Sequence, residues 1–310
     1  MIFYLFLLLL TLPLSAAPES EAAGSLEPLR FGIMPAVDSA PIIVAQSRGY
    51  FAEEGLDVEV ELFRSQLNRE AALQAESIDG TVSDMVNALR AWDSGADYRI
   101  LTLTQGIFSL IVAPDSTIQD RDSWPELPRS VPTALLEDSI IYYTATRMME
   151  AVALDPETLE IVPTLQIPLR VELLLAGELA AAVLPEPVTR LATAGGARVI
   201  VDSRVLPWTP GVVLVTGASL REKPRELEAF LRAYDRAVAE LNRNPDAFRE
   251  AIVAGAALPP ATRTAMQLPE YQEASPPQED QIRDVALWMQ ARGLLSTLPA
   301  REELVAEAPF

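Results

Sequence analysis

Hydrophobic and polar residues follow two alternating patterns along most of this chain. From residue 56 to residue 62, apolar residues alternate with acidic residues, which is typical of a β-strand with one solvated face. Met85, Val86, Leu89 and Trp92 recur instead at helical spacing. Short strands and helices succeed one another in this way as far as residue 216. This order predicts an α/β fold with largely parallel sheets.

The segment 30–63 is predicted to form the first strand–helix–strand unit. Its first strand leads into a polar loop that contains Asp38 and Ser39. Pro41 suits the first turn of the following helix because no intrahelical hydrogen bond is lost there, and Gly49 is a typical helix stop. Such a unit brings a loop and a helix N-terminus to the carboxyl edge of the sheet, where ligands commonly bind.

Two segments, 78–96 and 179–197, repeat one layout. Each contains a strand of small residues, a polar or proline-containing turn, a helix, and Gly-Ala before another strand. The repeat predicts two lobes with matching loops around a cleft, although chance similarity between two common patterns is an alternative. Residues 114–128 are polar and proline-containing, as expected of a crossing between lobes, and the very apolar strand 211–216 is expected to return the chain to the first lobe. The predicted lobes are residues 25–113 with 211–310, and residues 114–210.

The order of residues in the first unit is more specific than its pattern. The loop reads Asp-Ser-Ala-Pro (38–41), the helix ends in Ala-x-x-x-Gly-Tyr-Phe (45–51), and Glu-x-Gly-Leu-Asp-Val (53–58) leads into the second strand. These motifs resemble the extracytoplasmic solute-binding proteins of ABC importers, in the branch that takes up sulfonates, nitrate and thiamine-precursor pyrimidines. The resemblance implies a two-lobed periplasmic-binding-protein fold of type II. Each lobe would be a mostly parallel sheet flanked by helices.

The same resemblance implies a function. The chain would be a monomeric binding component, not an enzyme, that captures a small molecule between its lobes and delivers it to the permease and ATPase subunits, without a cofactor or metal. Members of this family commonly carry Gly-Glu-x-Asp before the cleft loops. Here the first copy keeps Asp79 but has Glu76-Ser77 in place of Gly-Glu, and the second keeps Gly177-Glu178 but has Ala180 in place of Asp.

Composition excludes several other classes of protein. The chain has 24 basic and 44 acidic residues and a formal net charge of -20, which disfavours binding to nucleic acids or anionic membranes. It contains no Cys and no His, which excludes disulfides, thiolate nucleophiles, Cys/His zinc sites and His-based catalytic triads. A binding protein is compatible with all of these absences.

The N-terminus has the composition of an export signal. An apolar run of signal-peptide length is followed by small residues, which predicts a signal peptide within residues 1–24. The run is too short for a comfortable transmembrane helix. No Cys lies at the junction to carry a lipid anchor, so we expect a periplasmic or otherwise extracytoplasmic protein without a direct anchor.

The candidate ligand-binding residues lie in loops, most of them at strand-to-helix junctions. They are Asp38, Ser39, Ser83, Asp84, Gln105, Glu137, Asp138, Ser139, Tyr142, Glu186 and Trp208. For most of the acidic and hydroxyl residues the alternative role is helix capping, which contributes about 1 kcal/mol each. For the two aromatic residues, the alternative to stacking on a flat ligand is packing in the core or hinge.

The charges of these loops indicate the class of ligand. The loops hold five carboxylates and no basic residue, whereas an anion would favour nearby Arg or Lys. We therefore expect a flat nitrogenous compound, neutral or cationic, such as a thiamine-precursor pyrimidine. A receptor for sulfonate or nitrate is the first alternative, if an arginine reaches the cleft from elsewhere. A two-lobed enzyme of the same fold and a sensor subunit are the others.

The predicted export signal can be checked directly. N-terminal sequencing of the protein from a native cell envelope should show a mature chain that begins between Ala17 and Ser25. An intact Met1 in a cytoplasmic fraction would contradict this prediction and favour the enzyme alternative.

Overall fold

Two five-stranded sheets form the framework of this protein. The computed structural model describes residues 25–124 and 130–306, so the predicted signal peptide lies outside the described residues. The strands are β1 (Leu29–Ile33), β2 (Val58–Leu62), β3 (Gly80–Asp84), β4 (Tyr98–Thr104), β5 (Phe108–Val112), β6 (Val131–Leu135), β7 (Leu159–Pro163), β8 (Ala181–Pro185), β9 (Arg198–Asp202) and β10 (Gly211–Thr216).

Helices cover both faces of each sheet. They are α1 (Ala40–Arg48), α2 (Tyr50–Glu53), α3 (Gln66–Gln74), α4 (Met85–Asp93), α5 (Ile140–Ala151), α6 (Ile167–Leu175), α7 (Val188–Ala194), α8 (Gly217–Glu222), α9 (Pro224–Arg243), α10 (Arg249–Gly255), α11 (Thr262–Ala265), α12 (Glu279–Ala291) and α13 (Arg301–Leu304). Within the described ranges, no helix has both the length and the apolar character needed to cross a bilayer.

The two sheets have the same topology. The first has the strand order β2-β1-β3-β10-β4, and the second has the order β7-β6-β8-β5-β9. In each, four strands run in one direction and the fourth in order, β10 or β5, runs against them. The helix α3 begins at Gln66 and α6 at Ile167, 101 positions later, and the strands β3 and β8 keep the same offset. The repeat seen in the sequence is therefore a repeat of structure, and the predicted two-lobed α/β fold is confirmed.

The boundary between the lobes differs from the predicted one. The sequence predicts that residues 25–113, which include β5, belong to the first lobe, but β5 pairs with β8 and β9 in the second sheet. The chain thus crosses at residues 105–107 instead of at residues 114–128. The sequence pattern could not reveal the sheet to which β5 belongs, because β4 and β5 are both apolar runs. Only the pairing of strands in the tertiary structure decides it. The strand β10 lies between β3 and β4 of the first sheet.

Each lobe has its own apolar interior. In the first lobe, one core lies between the sheet and the helices α1, α2, α9 and α10, and a second core lies between the opposite face and α4 and α12. Phe31, Phe51 and Phe230 stack in the first of these cores. In the second lobe, α5 packs on one face of the sheet and α6 and α7 pack on the other. The helix ends and loops between the lobes are held in place by these cores.

Gly80, at the start of β3, packs so closely against its neighbours that a substitution there tests the packing of the first sheet. A Cβ atom at Gly80 would lie 2.6 Å from Phe31 Cζ and 2.7 Å from the Leu214 carbonyl oxygen. We expect Gly80→Ala to lower the free energy of unfolding by about 2 kcal/mol or more, because a backbone carbonyl cannot move aside as a side chain can. Urea denaturation measures the change. Gly106→Ala is the control, since its nearest neighbour would be 3.6 Å away, and equal losses in both variants would contradict the described packing.

Candidate functional site

The loop between β1 and α1 carries Asp38 and Ser39 to the edge of the first lobe. The Ser39 hydroxyl donates to the Met34 carbonyl at 3.1 Å and to Asp38 Oδ1 at 3.3 Å. The Thr104 hydroxyl donates to the Asp38 carbonyl at 2.9 Å, and the Tyr271 hydroxyl donates to the Val37 carbonyl at 2.7 Å. Ser39 is therefore used to shape the loop and does not cap α1 with its side chain. The loop is fixed from β4 and from the C-terminal segment.

Burial makes the Asp38 carboxyl group easier to protonate. It raises the pKa of Asp38 from an ordinary value of 3.8 to about 6, and the guanidinium of Arg69 opposes this rise. The neighbouring carboxylate of Asp84 raises the pKa of Asp38 further. A hydrogen-bond donor or cation that approached this carboxylate would offset part of its desolvation.

Asp84 and Ser83 end β3, and both are engaged within the lobe. Asp84 Oδ1 accepts a hydrogen bond from the Asn87 backbone N–H at 2.9 Å, and Oδ2 accepts one from Asn87 Nδ2 at 2.6 Å. This is the capping role that was the alternative for Asp84, and burial still raises its pKa. Ser83 is buried, and its hydroxyl accepts a hydrogen bond from Arg69 Nη2 at 3.1 Å.

Arg69, in α3, is a residue of this site that sequence reasoning missed. Its side chain is buried, and Nη1 donates to the Val82 carbonyl at 3.0 Å. Its Nε is buried without a hydrogen-bond partner among the described residues. The acidic loops therefore have a cation beneath them, although none of the candidate loops contains one.

The repeat itself held a signal for this arginine. Arg170, in α6, stands 101 positions after Arg69 and is also buried. Its Nη1 donates to the Val183 carbonyl at 3.3 Å, which matches the bond from Arg69 to Val82, and its Nε donates to the Thr164 carbonyl at 2.8 Å. Burial lowers the pKa of Arg170 to about 10. Each arginine ties a helix to the adjacent strand of its own lobe.

The corresponding loop of the second lobe contains Glu137, Asp138 and Ser139. The Ser139 hydroxyl accepts from the Tyr142 backbone N–H at 3.3 Å and so caps α5. Glu137 and Asp138 are exposed. Arg90 of the first lobe donates from Nη2 to the Asp138 carbonyl at 2.6 Å and lies 3.2 Å from its carboxylate. Asp138 therefore takes part in a contact between the lobes.

Glu186 follows β8 and is fully buried. Arg190 Nε donates to its Oε1 at 2.7 Å, whereas Oε2 has no partner among the described residues. Burial raises the pKa of Glu186, and the nearby Arg190 opposes that rise. The Glu186 backbone N–H donates to the Ile107 carbonyl at 2.8 Å, which fixes this residue beside the chain crossing.

A cavity of about 470 Å³ lies where the chain crosses between the lobes, and we call it the hinge cavity. Gln105 and Trp208 line it, together with Gly106, Thr209, Glu270 and Tyr271. Thr209 Oγ1 is buried without a partner among the described residues. Gln105 Oε1 accepts a hydrogen bond from the Gln272 backbone N–H at 2.8 Å. The indole of Trp208, the amide of Gln105 and the hydroxyl of Thr209 thus line one partly polar cavity.

The predicted site residues therefore fall into two groups. The first group is Asp38, Ser39, Ser83, Asp84 and Gln105. Arg69 binds Ser83 and opposes the pKa rise of both acids, Ser39 donates to Asp38, and Gln105 lines the hinge cavity. A Cβ atom on Gly106, next to Gln105, would lie 3.8 Å from Asp38 Cβ. Trp208 lines the hinge cavity from the second crossing, and Glu186, directly after β8, is bonded to Ile107 of the first crossing. Tyr142 and the loop 137–139 lie instead where α5 meets the first lobe, with Tyr142 packed edge-on to Trp288 at a centroid distance of 5.6 Å.

The pKa of Asp38 generates a test by pH. Because the folded pKa exceeds 3.8, the folded chain binds this proton more tightly than the unfolded chain does, and stability falls as the pH rises from about 4 to 6. Relative to the wild type, Asp38→Asn should gain on the order of 1–2 kcal/mol of unfolding free energy at pH 7.5 and nothing at pH 3.5. Urea denaturation at both pH values measures this, with Glu59→Gln on the exposed face of β2 as control. A difference that does not vary with pH would contradict the raised pKa of Asp38.

Comparison with known proteins is consistent with this architecture. The sequence of residues 22–255 matches the NMT1-like family. No curated protein matches the chain by sequence. The fold resembles the zinc-bound ligand-binding component of an ABC-type import system from Staphylococcus aureus, with a TM-score of 0.75 and 13% identity over 90% of this chain and 96% of that one.

Two sulfonate-binding proteins have the same fold. The periplasmic aliphatic sulphonate binding protein SsuA from Escherichia coli gives a TM-score of 0.72 and 16% identity over 91% of this chain and 92% of that one. The alkanesulfonate-binding protein SsuA from Xanthomonas axonopodis pv. citri, bound to MOPS, gives 0.68 and 19% identity over 92% and 98%. The periplasmic-binding-protein fold predicted from the sequence is thereby confirmed. By the match over most of its length, this chain belongs to the NMT1-like family.

Proposed function

We propose that this protein is the extracytoplasmic solute-binding component of an ABC importer. The observation that carries the proposal is the polar hinge cavity between two lobes of matching topology, joined by strands that cross from one sheet to the other. Pockets with a few polar groups on an apolar framework are typical small-molecule sites. The similarity of the fold to import-system and sulfonate-binding proteins supports the same role. The permease and ATPase subunits would be its partners.

Capture of the solute would be coupled to closure of the lobes. Only a ligand that contacts both lobes differs in affinity between the open and closed forms, so only such a ligand shifts their populations. Gln105 and Trp208 belong to the two crossing segments, and Asp38 borders the same region from the first lobe. A solute in contact with all three would stabilise the closed form.

The charges favour a flat nitrogenous ligand, neutral or cationic, as the solute. Arg69 acts on both Asp38 and Asp84, so two carboxylates share one cation when both acids are ionised. Arg204, which lines the cavity, is itself paired with Asp202. Arg69 is already bonded to Ser83 and Val82 and is buried, which limits its use as an anion ligand. The Trp208 ring is suited to stack on a planar base, and an N–H donor would pair with the Asp38 carboxylate.

A receptor for sulfonate or nitrate is the second candidate. The observation in its favour is the unpartnered Nε of Arg69 beneath the acidic loops, together with the sulfonate-binding proteins of the same fold. For an anion to bind, Arg69 would have to exchange at least one of its present partners. The enzyme and sensor alternatives would use the same cavity.

Isothermal titration calorimetry tests the proposal. Thiamine-type pyrimidines and other flat bases are compared with taurine, alkanesulfonates and nitrate. We expect a base to bind, and Asp38→Asn to weaken it by about tenfold, because a hydrogen bond to a charged group contributes about 1.5–3 kcal/mol. Glu59→Gln should bind as the wild type does.

Three outcomes would contradict parts of this proposal. Tight binding of a sulfonate with no effect of Asp38→Asn would favour the anion receptor. Conversion of a bound compound to a product, followed by mass spectrometry, would favour the enzyme. Failure of all these compounds to bind would overturn the ligand class.

A further inference from the structure

The helix α5 of the second lobe meets the helix α12 of the first lobe outside the hinge cavity. The residues in contact are Tyr142, Tyr143 and Arg147 on α5, and Asp284, Trp288 and Arg292 on and directly after α12. The three α12 residues are four positions apart, so they lie on one face of the helix. We call this set the α5–α12 clasp.

Asp284 is the polar centre of the clasp. Arg147 binds it with two hydrogen bonds, from Nη2 to Oδ1 at 2.6 Å and from Nε to Oδ2 at 3.1 Å. The Tyr143 hydroxyl donates to the same Oδ2 at 2.6 Å. A bidentate arginine–carboxylate pair has a defined geometry, and the phenol adds a third donor to one carboxylate. All three of these bonds join one lobe to the other.

The aromatic rings extend the contact. Trp288 meets Tyr143 and Tyr142 edge-on, with ring centroids 5.5 and 5.6 Å apart. The Arg292 guanidinium lies over both Trp288 and Tyr142, at 4.5 and 5.3 Å from their ring centroids. Such edge-on pairs and cation–π contacts add to the free energy of simple burial.

Tyr143 belongs to the core of the other lobe. Its side chain is only 2% exposed, and it packs in the same apolar cluster as Val285, Met289 and Trp288 of the first lobe. Separation of the lobes would bring this ring into water and remove three donors from Asp284. Any rotation that parts α5 from α12 therefore has to break the clasp.

Within the described ranges, the matching helix of the first lobe makes no comparable contact. The helix α1 is the counterpart of α5, and it packs against α9 and α10 of its own lobe. The helix α12 also lies beyond residue 255, where the match to the NMT1-like family ends. The clasp is thus formed between a helix of the second repeated unit and a C-terminal helix that lies outside both units.

From these contacts we propose that the α5–α12 clasp holds the lobes closed independently of any solute. It biases the equilibrium between open and closed forms through Asp284, and it thereby sets how much of a solute's binding energy is needed for closure. Its residues are positioning residues, since none of them lines the hinge cavity, and Tyr143 approaches it only through Trp208, with ring centroids 6.5 Å apart.

Distance measurement between spin labels tests the clasp without a ligand. The natural sequence contains no Cys, so Asn68→Cys on α3 and Glu172→Cys on α6 provide one label on each lobe. In this background, without added solute, Asp284→Asn should raise the ratio of open to closed molecules roughly fivefold, because a charged network at a partly exposed site contributes modestly. The distance distribution between the two spin labels in Asp284→Asn should therefore show a second, longer component.

The control is a charge pair confined to one lobe. Glu53 of α2 accepts from Arg236 of α9 at 2.7 Å, and Glu53→Gln should leave the distance distribution unchanged. Tyr143→Phe removes only the phenol hydrogen bond and should open the lobes less than Asp284→Asn does. Circular dichroism of each variant verifies that it is folded.

The outcomes separate the clasp from the proposed function. Folded Asp284→Asn and Tyr143→Phe variants whose distances equal those of the wild type would overturn the clasp, whether or not the protein binds a solute. Equal opening in Glu53→Gln would overturn it too, because the effect would then be general destabilisation. Failure of the calorimetric titrations leaves this measurement intact, since it uses no ligand.

Discussion

The exchange of one strand between the two sheets is the constraint on which the rest of this structure depends. The strand β5 leaves the first lobe to lie between β8 and β9, and β10 returns from the second lobe to lie between β3 and β4. Each sheet is therefore complete only when the other half of the chain has contributed a central strand. Because β5 and β10 each lie between two other strands, a shift in their register would expose apolar side chains. Their fixed register in turn keeps the two chain crossings close together.

The candidate site follows from that constraint. The two crossings bring Gln105 and Trp208 to one cavity, and Asp38, in the loop after β1, lies close to Gly106 of its lining. Carboxylates held near this point lose solvation, as the pKa of Asp38 indicates. A buried arginine, Arg69, reduces that cost while it also ties α3 to β3. The polar groups of the site are thus held by the same contacts that hold the lobe together, which limits how far they can move when a solute binds.

The lobes are connected in two physically different ways. Crossing strands are covalent and short, so they permit rotation but not separation. The clasp between α5 and α12 is non-covalent and combines a charged group, Asp284, with a buried ring, Tyr143. A hinge on one side and a breakable contact elsewhere provide the elements of a two-state closure, in which small changes at the contact alter the populations without changing the fold. One partner of this contact, α12, lies outside the repeated units, and Tyr143 of the other partner lies 6.5 Å from the Trp208 ring that lines the cavity.

The sequence by itself determined the local elements and the repeat. Apolar periodicity, Pro41 in the first turn of α1, and Gly49 with a φ of 75° at its end are short-range features, and they predicted strands, helices and a two-lobed fold that the structure confirms. The loops that hold Asp38 and Asp84 were recognisable for the same reason. Only the tertiary structure decided that β5 belongs to the second sheet, that Asp84 caps a helix, and that Arg69 lies beneath the acidic loops. These depend on which strands pair and which side chains meet across long separations in sequence, and spacing along one segment does not encode such contacts.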